Sequence, residues 1–209
     1  MAQVIKLNPP NISEATIRSL KKGDIVSITG TIITGRDVAH KYLEDHFISK
    51  DKPTESEIPV LEDLKKYTQG GIIYHCGPVV AEKNGEYTFL AAGPTTSIRE
   101  EPYEYDVMKL LGLRGVIGKG GMGPKTLKAC VDLGGVYLHA IGGAATLIAQ
   151  NVKKVKGVIK KEFGTPESFW IIEVEDFETI VTMDSHGESL HDVIQKQSEK
   201  KMLELFETL

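Results

Sequence analysis

The chain has 209 residues, 41% hydrophobic and 26% charged, an ordinary composition for a water-soluble α/β protein with a full core. Its 25 Lys and Arg stand against 29 Asp and Glu, and the net charge of −4 gives no global pull toward nucleic acid or an anionic membrane. Two cysteines, Cys76 and Cys130, make neither a disulfide framework nor the three or four thiolates that hold an iron–sulfur cluster. No apolar run has the length of a membrane span, and Met1-Ala2-Gln3-Val4-Ile5-Lys6 lacks a signal-peptide core. A soluble, cytoplasmic protein is the expectation.

Residues 11–22 read as a short helix, capped by Asn11 or Ser13, with Ile17 and Leu20 on one face and Gly23 as its stop. Residues 24–29 alternate as a strand; Gly30 breaks the run and residues 31–34 resume it. Gly35-Arg36-Asp37-Val38-Ala39-His40-Lys41 follows. Asp37 is a candidate N-cap for a helix to about Leu43, and a helix N-terminus beside Arg36 favours an anion. His40 lies one turn after Arg36, so the two can share a face. The competing reading is a capped helix with a surface Arg and a His packed on the strand.

Residues 45–66 are polar and contain Pro53 and Pro59; they read as a loop and then a short helix over 60–67. Gly70-Gly71 opens a strand over 72–75. His75 reads as a strand residue and Cys76 as a small buried one. Asn84-Gly85 is a hairpin signal joining 79–82 to 86–90. The second of these strands feeds Gly93-Pro94-Thr95-Thr96-Ser97-Ile98-Arg99. Gly and Pro stop the strand, so two hydroxyls and a guanidinium stand at a strand end, where α/β folds place ligands. An Arg fork matches a carboxylate or phosphate. The plainer reading is an exposed polar turn.

Residues 101–111 look helical and stop at Gly112, and 113–117 form a short strand. Pro124 opens the next helix, with Leu127, Cys130 and Val131 as its apolar face and Gly134-Gly135 as its end. Residues 136–141 are a strand, followed by Gly142-Gly143-Ala144-Ala145 and a short helix to about Gln150. Three further strands are expected at 155–163, 169–174 and 179–183. Asp184-Ser185-His186-Gly187 reads as a turn before a terminal helix. His186 and His191 lack a third ligand nearby, which favours that turn over a metal site. No repeat or linker divides the chain, so residues 1–209 are expected to form a single domain.

Gly118, Gly120 and Gly123 satisfy G-x-G-x-x-G between a strand and a helix. Pro124 follows directly, and no Asp or Glu ends the next strand to hold a ribose. What remains is a loop in which backbone amides and Lys119 can approach an anion. Arg36, Arg99 and Lys119 thus stand at three strand-to-turn junctions, with Thr95 and Thr96 among them. Three cations around hydroxyls suit a small dicarboxylate. No metal-ligand set, Ser-His-Asp pattern or carboxylate pair is evident, so an electrophile would come from elsewhere.

At these residues the sequence resembles the β subunit of two-subunit class I fumarate hydratases, and the related L-tartrate dehydratase β subunit. The carrying motifs are Gly30-Thr31, Gly35-Arg36-Asp37-Val38-Ala39-His40-Lys41, Tyr74-His75-Cys76-Gly77-Pro78, Gly93-Pro94-Thr95-Thr96-Ser97-Ile98-Arg99, Gly118-Lys119-Gly120-Gly121-Met122 and Ile141-Gly142-Gly143-Ala144-Ala145. They occur in order across nearly the whole chain. In the family the motif Arg is usually followed by Met; here Glu100 follows.

The resemblance implies an α/β chain with a swivelling β/β/α fold. It implies a four-iron four-sulfur cluster held by a separate α subunit, none bound by this chain alone, and a heterotetramer. The implied reaction is reversible hydration of fumarate to (S)-malate. Arg36, Arg99, Lys119 and Thr96 would bind substrate and Thr95 would serve acid–base chemistry, opposite an Asp of the α subunit. Asp37 and His40 would support Arg36. The alternatives are tartrate dehydration and a non-catalytic anion- or nucleotide-binding module.

Overall fold

The computed structural model describes residues 4–50 and 53–206. Seven strands form one sheet in the order β1 (Val4–Leu7), β2 (Ile25–Thr34), β3 (Ile72–Tyr74), β6 (Gly115–Gly118), β7 (Val136–His139), β9 (Phe169–Met183), β8 (Val152–Ile159). The strands β1, β2, β3, β6 and β7 run parallel, while β9 is antiparallel to β2, β7 and β8. Because β9 also pairs with β2, the sheet closes on itself through β2, β3, β6, β7 and β9. The remaining strands, β4 (Val79–Lys83) and β5 (Glu86–Ala91), make a separate hairpin through Asn84 and Gly85, both at positive φ.

Side chains alternate across the sheet, so neighbouring residues enter different apolar clusters. Ile32, Ile72, Ile117, Leu138 and Ile172 lie in one, with Trp170 and Phe177. Ile33, Ile73, Val116, Tyr137 and Ile171 lie in the other. Both faces are buried, as the near-continuous apolar strands require. The first cluster takes in Ile17 of α1 (Glu14–Ser19) and Ile148 of α6 (Ala145–Ala149). The second is covered by α2 (Asp37–Leu43), α3 (Ile58–Thr68), α4 (Glu104–Leu111) and α5 (Pro124–Leu133). A terminal helix, α7 (Leu190–Phe206), follows β9 and buries none of its residues. Among the described residues, no helix is long and apolar enough to cross a membrane.

Several expected boundaries move. Gly30 does not break β2; the strand runs through it at φ 148°, and only glycine fits there, since a Cβ would lie 2.2 Å from the Pro9 carbonyl oxygen. The two strands expected at 169–174 and 179–183 are one, with Asp176 at φ 50° opposite an irregularity in the β2 register. Helix α1 is shorter than expected, and Ser13 caps it by accepting from the Thr16 amide at 3.1 Å. Val131 stays exposed and Ala129 takes its place in the core face of α5.

Candidate active site

The parallel strands β2, β3, β6 and β7 deliver their carboxyl ends to one edge, the usual place for a ligand site in such sheets. Arg36 follows β2, His75 follows β3, Lys119 follows β6 and Gly142 lies just past β7. The chain leaving the hairpin then threads between two of these ends. Pro94 bridges to Cys76, and Thr96 bridges to Lys119. The Thr95 amide donates to the His75 carbonyl at 2.7 Å, and the Ser97 amide donates to the Lys119 carbonyl at 3.1 Å. Thr95 is nearly buried at 9% exposure, while Thr96 is open to solvent.

A single 3₁₀ turn over Ser97–Glu100 carries Arg99 back toward α2. Arg99 donates to Asp37 Oδ2 at 2.9 Å, and Arg36 donates to the same oxygen at 2.8 Å. Arg36 also meets Glu167 Oε1 at 3.0 Å, and its guanidinium lies against Gly77. Arg99 remains 49% exposed and, among the described residues, its side chain makes no other hydrogen bond. Lys119 runs beside Gly142. A cleft of about 310 Å³ is lined by Asp37, Val38, Lys41, Arg99, Glu100 and Tyr103. Thr95, Thr96 and Lys119 lie outside that lining, so the structure joins them to Arg99 through the chain, not through one closed pocket.

Asp37 is the first residue of α2 and caps nothing, contrary to expectation. The Val38 amide is taken instead by Glu167 Oε2 at 2.9 Å. The glycine-rich loop shows the same device. Glu101 accepts from the Gly123 and Lys125 amides, each at 2.8 Å, and from Thr126 Oγ1 at 2.6 Å. A carboxylate of this chain fills the place that a phosphate takes in a dinucleotide site. The Val38, Gly123 and Lys125 amides are thus taken by carboxylates of this chain.

Beneath the turns lies a polar cluster of which sequence reasoning singled out only His40, as a support of Arg36. His40, His75, Ser97, Glu100 and Glu104 are all fully buried. His40 Nδ1 donates to the Arg36 carbonyl at 3.1 Å and its Nε2 to Glu104 Oε2 at 3.1 Å. With oxygens facing both nitrogens, the surroundings of His40 favour its protonated form. Burial opposes that charge, but Glu104 outweighs it and the pKa rises. His75 Nε2 lies 3.0 Å from the same Glu104 oxygen, off the hydrogen-bonding direction. Burial lowers the pKa of His75, with Glu104 pulling the other way. Burial works against the Glu104 charge too, yet His75 and His40 bring its carboxyl down to about 2. The signal available in the sequence was weak: Glu104 sits where acids commonly begin a helix.

The ligand atoms of His40, His75 and Glu104 lie within 4.8 Å of one another, the kind of group that can hold a metal ion. Both imidazoles close on one carboxylate oxygen at 3.0–3.1 Å, which is hydrogen-bond spacing. Among the described residues, the two cysteines do not offer an iron–sulfur cluster its thiolates. Cys76 and Cys130 are buried free thiols; burial pushes Cys76 up to about 12 and Cys130 still higher. His186 stays in its turn, its amide donating to Asp184 Oδ1 at 2.9 Å, and His191 bonds Thr182 Oγ1 at 3.0 Å.

Known proteins are similar to this chain in sequence. The family model described as Fumarase C-terminus matches residues 1–194. An inferred class I fumarate hydratase of Geobacillus stearothermophilus is 53% identical over 96% of this chain, which spans only 36% of that protein's length. An inferred L(+)-tartrate dehydratase subunit beta of Methanocaldococcus jannaschii is 39% identical over 93% of this chain and 95% of its own. The L(+)-tartrate dehydratase subunit beta of Escherichia coli K12 is 34% identical over 86% of this chain and 83% of its own. The motifs at the sheet edge and these matches agree, and the chain belongs to the fumarase C-terminus family.

Proposed function

We propose that this chain is the β subunit of an iron–sulfur hydro-lyase that reversibly hydrates fumarate to (S)-malate. One observation supports it most: Arg36 and Arg99 converge on a single Asp37 oxygen at the carboxyl edge of the sheet. In this reading residues 1–209 act as one unit of the swivelling β/β/α type, and the closed mixed sheet is compatible with that. Arg36, Arg99 and Lys119 bind the two substrate carboxylates, where Arg forks give bidentate recognition. Thr96, open beside Lys119, adds a hydroxyl contact. Thr95 holds or passes the proton exchanged at the substrate carbon. A hydroxyl does so only with help, because its own acidity is remote from neutral pH. The cluster-bearing α subunit supplies a Lewis acid and completes the site, in a cytoplasmic heterotetramer.

Tartrate dehydration is the second reading. It is supported by the two tartrate-named relatives, most of whose length this chain covers. The higher identity to the fumarate-named relative supports the first.

The experiment is anaerobic purification of the chain from its native cells, with partner, iron, fumarate hydration and tartrate dehydration measured together. A cysteine-rich partner, about four irons and fumarate hydration are expected. Tartrate dehydration alone would move the substrate to the second reading. A lone chain that stays inactive when the α subunit is added back would overturn both.

A further inference from the structure

Glu104 begins α4, where an acid is commonplace, yet its side chain is fully buried. Three of the turns at the sheet edge meet on it. Through His40 it reaches Arg36, whose carbonyl accepts from both the His40 amide at 2.9 Å and Nδ1 at 3.1 Å. Through His75 it reaches the threonine stretch, since the His75 carbonyl takes the Thr95 amide. His75 Nδ1 and Tyr137 Oη each lie 2.9 Å from Ser97 Oγ. Ser97 in turn packs on Gly118, where an added Cβ would lie 1.8 Å from Oγ, and Gly118 precedes Lys119. Carboxylate binding does not itself require two imidazoles and an acid in the core. Apolar residues would fill the space with less desolvation, whereas the bonds of His40 to Arg36 and Glu104, and the contacts of His75 and Tyr137 with Ser97, tie separate turns to one another.

We propose that Glu104, with His40, His75 and Ser97, is a positioning device that fixes the spacing between the Arg36–Arg99 pair and the Thr95–Lys119 ladder, and so makes the site selective for two carboxylates at a set separation. This rests on the carboxylate-clamp reading above. None of the four contacts substrate; they act through the backbone of Arg36, Thr95 and Lys119. A clamp whose halves drift still meets one carboxylate and fails to meet both. Displacement by about 1 Å is enough for losses on the order of 10²-fold.

The test is calorimetric binding of succinate and propionate to the full chain, purified with whatever subunit accompanies it. The variants are Glu104→Gln and Ser97→Ala. Succinate should weaken by about 10-fold or more while propionate stays within about 2-fold, with circular dichroism unchanged. A folded variant that keeps the wild-type preference for succinate over propionate overturns the proposal. If Glu104→Gln does not fold, Ser97→Ala decides by the same criterion, because it leaves Glu104 and His40 intact. Failure of the underlying reading looks different: the unmodified protein would then show no preference for succinate at all, and both proposals would fall.

Discussion

Arg36 and Arg99 donate to the same atom, Asp37 Oδ2, from turns on two different parts of the chain. Asp37 and Arg99 are 62 residues apart in sequence. One carboxylate oxygen therefore sets the distance between the two guanidiniums. Burial works against the Asp37 charge, but the Arg36 hydrogen bonds and both cations hold its carboxyl below the ordinary 3.8. A lowered carboxyl pKa contributes stability above the ordinary value and loses it as pH falls through the folded one. Asp37→Ala should keep the fold at neutral pH and let the guanidiniums part. Steady-state kinetics should show kcat/KM down by about 10-fold, chiefly through KM; unchanged kinetics would contradict the shared anchor.

Gly77 reports on the position of Arg36. A Cβ there would lie 2.5 Å from Arg36 Nη1 and 3.1 Å from its Cδ. The end of a long side chain can move aside, so the fold survives while the guanidinium does not stay in place. Gly77→Ala should leave Tm within about 3 °C of wild type, equivalent to about 1 kcal/mol. It should lower kcat/KM by about 10-fold or more. Wild-type kinetics in the folded variant would remove Arg36 from the clamp.

Glu101 caps α5 with both carboxylate oxygens. Glu101→Ala should destabilise by about 1–2 kcal/mol, the usual value of a helix cap. Thermal denaturation should show Tm lower by about 2–8 °C. Because Glu101 occupies the Gly123 and Lys125 amides at the start of α5, the unmodified chain should bind neither NAD nor ATP at about millimolar concentration, the weak-binding range. Saturable binding by equilibrium dialysis would reinstate the nucleotide-binding reading.

Glu100 makes the fold sensitive to pH from the opposite side. Its side chain is fully buried, and neither oxygen has a hydrogen-bond partner among the described residues. Burial pushes its carboxyl up to about 7, with the His40 charge pulling the other way. The folded state then binds a proton that the unfolded state has released, so stability falls as pH rises between the ordinary 4.5 and the folded value. Glu100→Gln removes that ionisation. Urea denaturation should show the variant gaining on wild type between about pH 5 and about pH 8; a constant difference would contradict the raised value.

The turns were legible in the sequence because Gly, Pro, Asn and Thr impose local geometry. Asn84-Gly85, Gly35-Arg36 and the stretch from Gly93 to Arg99 fall at strand ends as their chemistry requires. Strand continuity was not legible at Gly30 or Asp176. Both weaken a strand locally, and both are held by pairing between β2 and β9. The acids were hidden for another reason. Glu101, Glu104 and Glu167 look like surface residues, and their partners lie 22, 64 and 129 positions away. Val131 was placed in the core of α5 by spacing alone; the buried stripe is turned toward Ala129.

The central claim is that this chain supplies the cationic clamp of a hydro-lyase site, and Arg99 tests it most directly. Arg99 is half exposed, its side chain's hydrogen-bond partner among the described residues is Asp37, and its removal leaves the buried cluster intact. The measurement is kcat/KM for fumarate, and for tartrate, in the assembled enzyme carrying Arg99→Ala, with iron content and assembly checked alongside. A fall on the order of 10²-fold at unchanged iron content is predicted. Wild-type kcat/KM for the enzyme's own substrate in the assembled variant would contradict it.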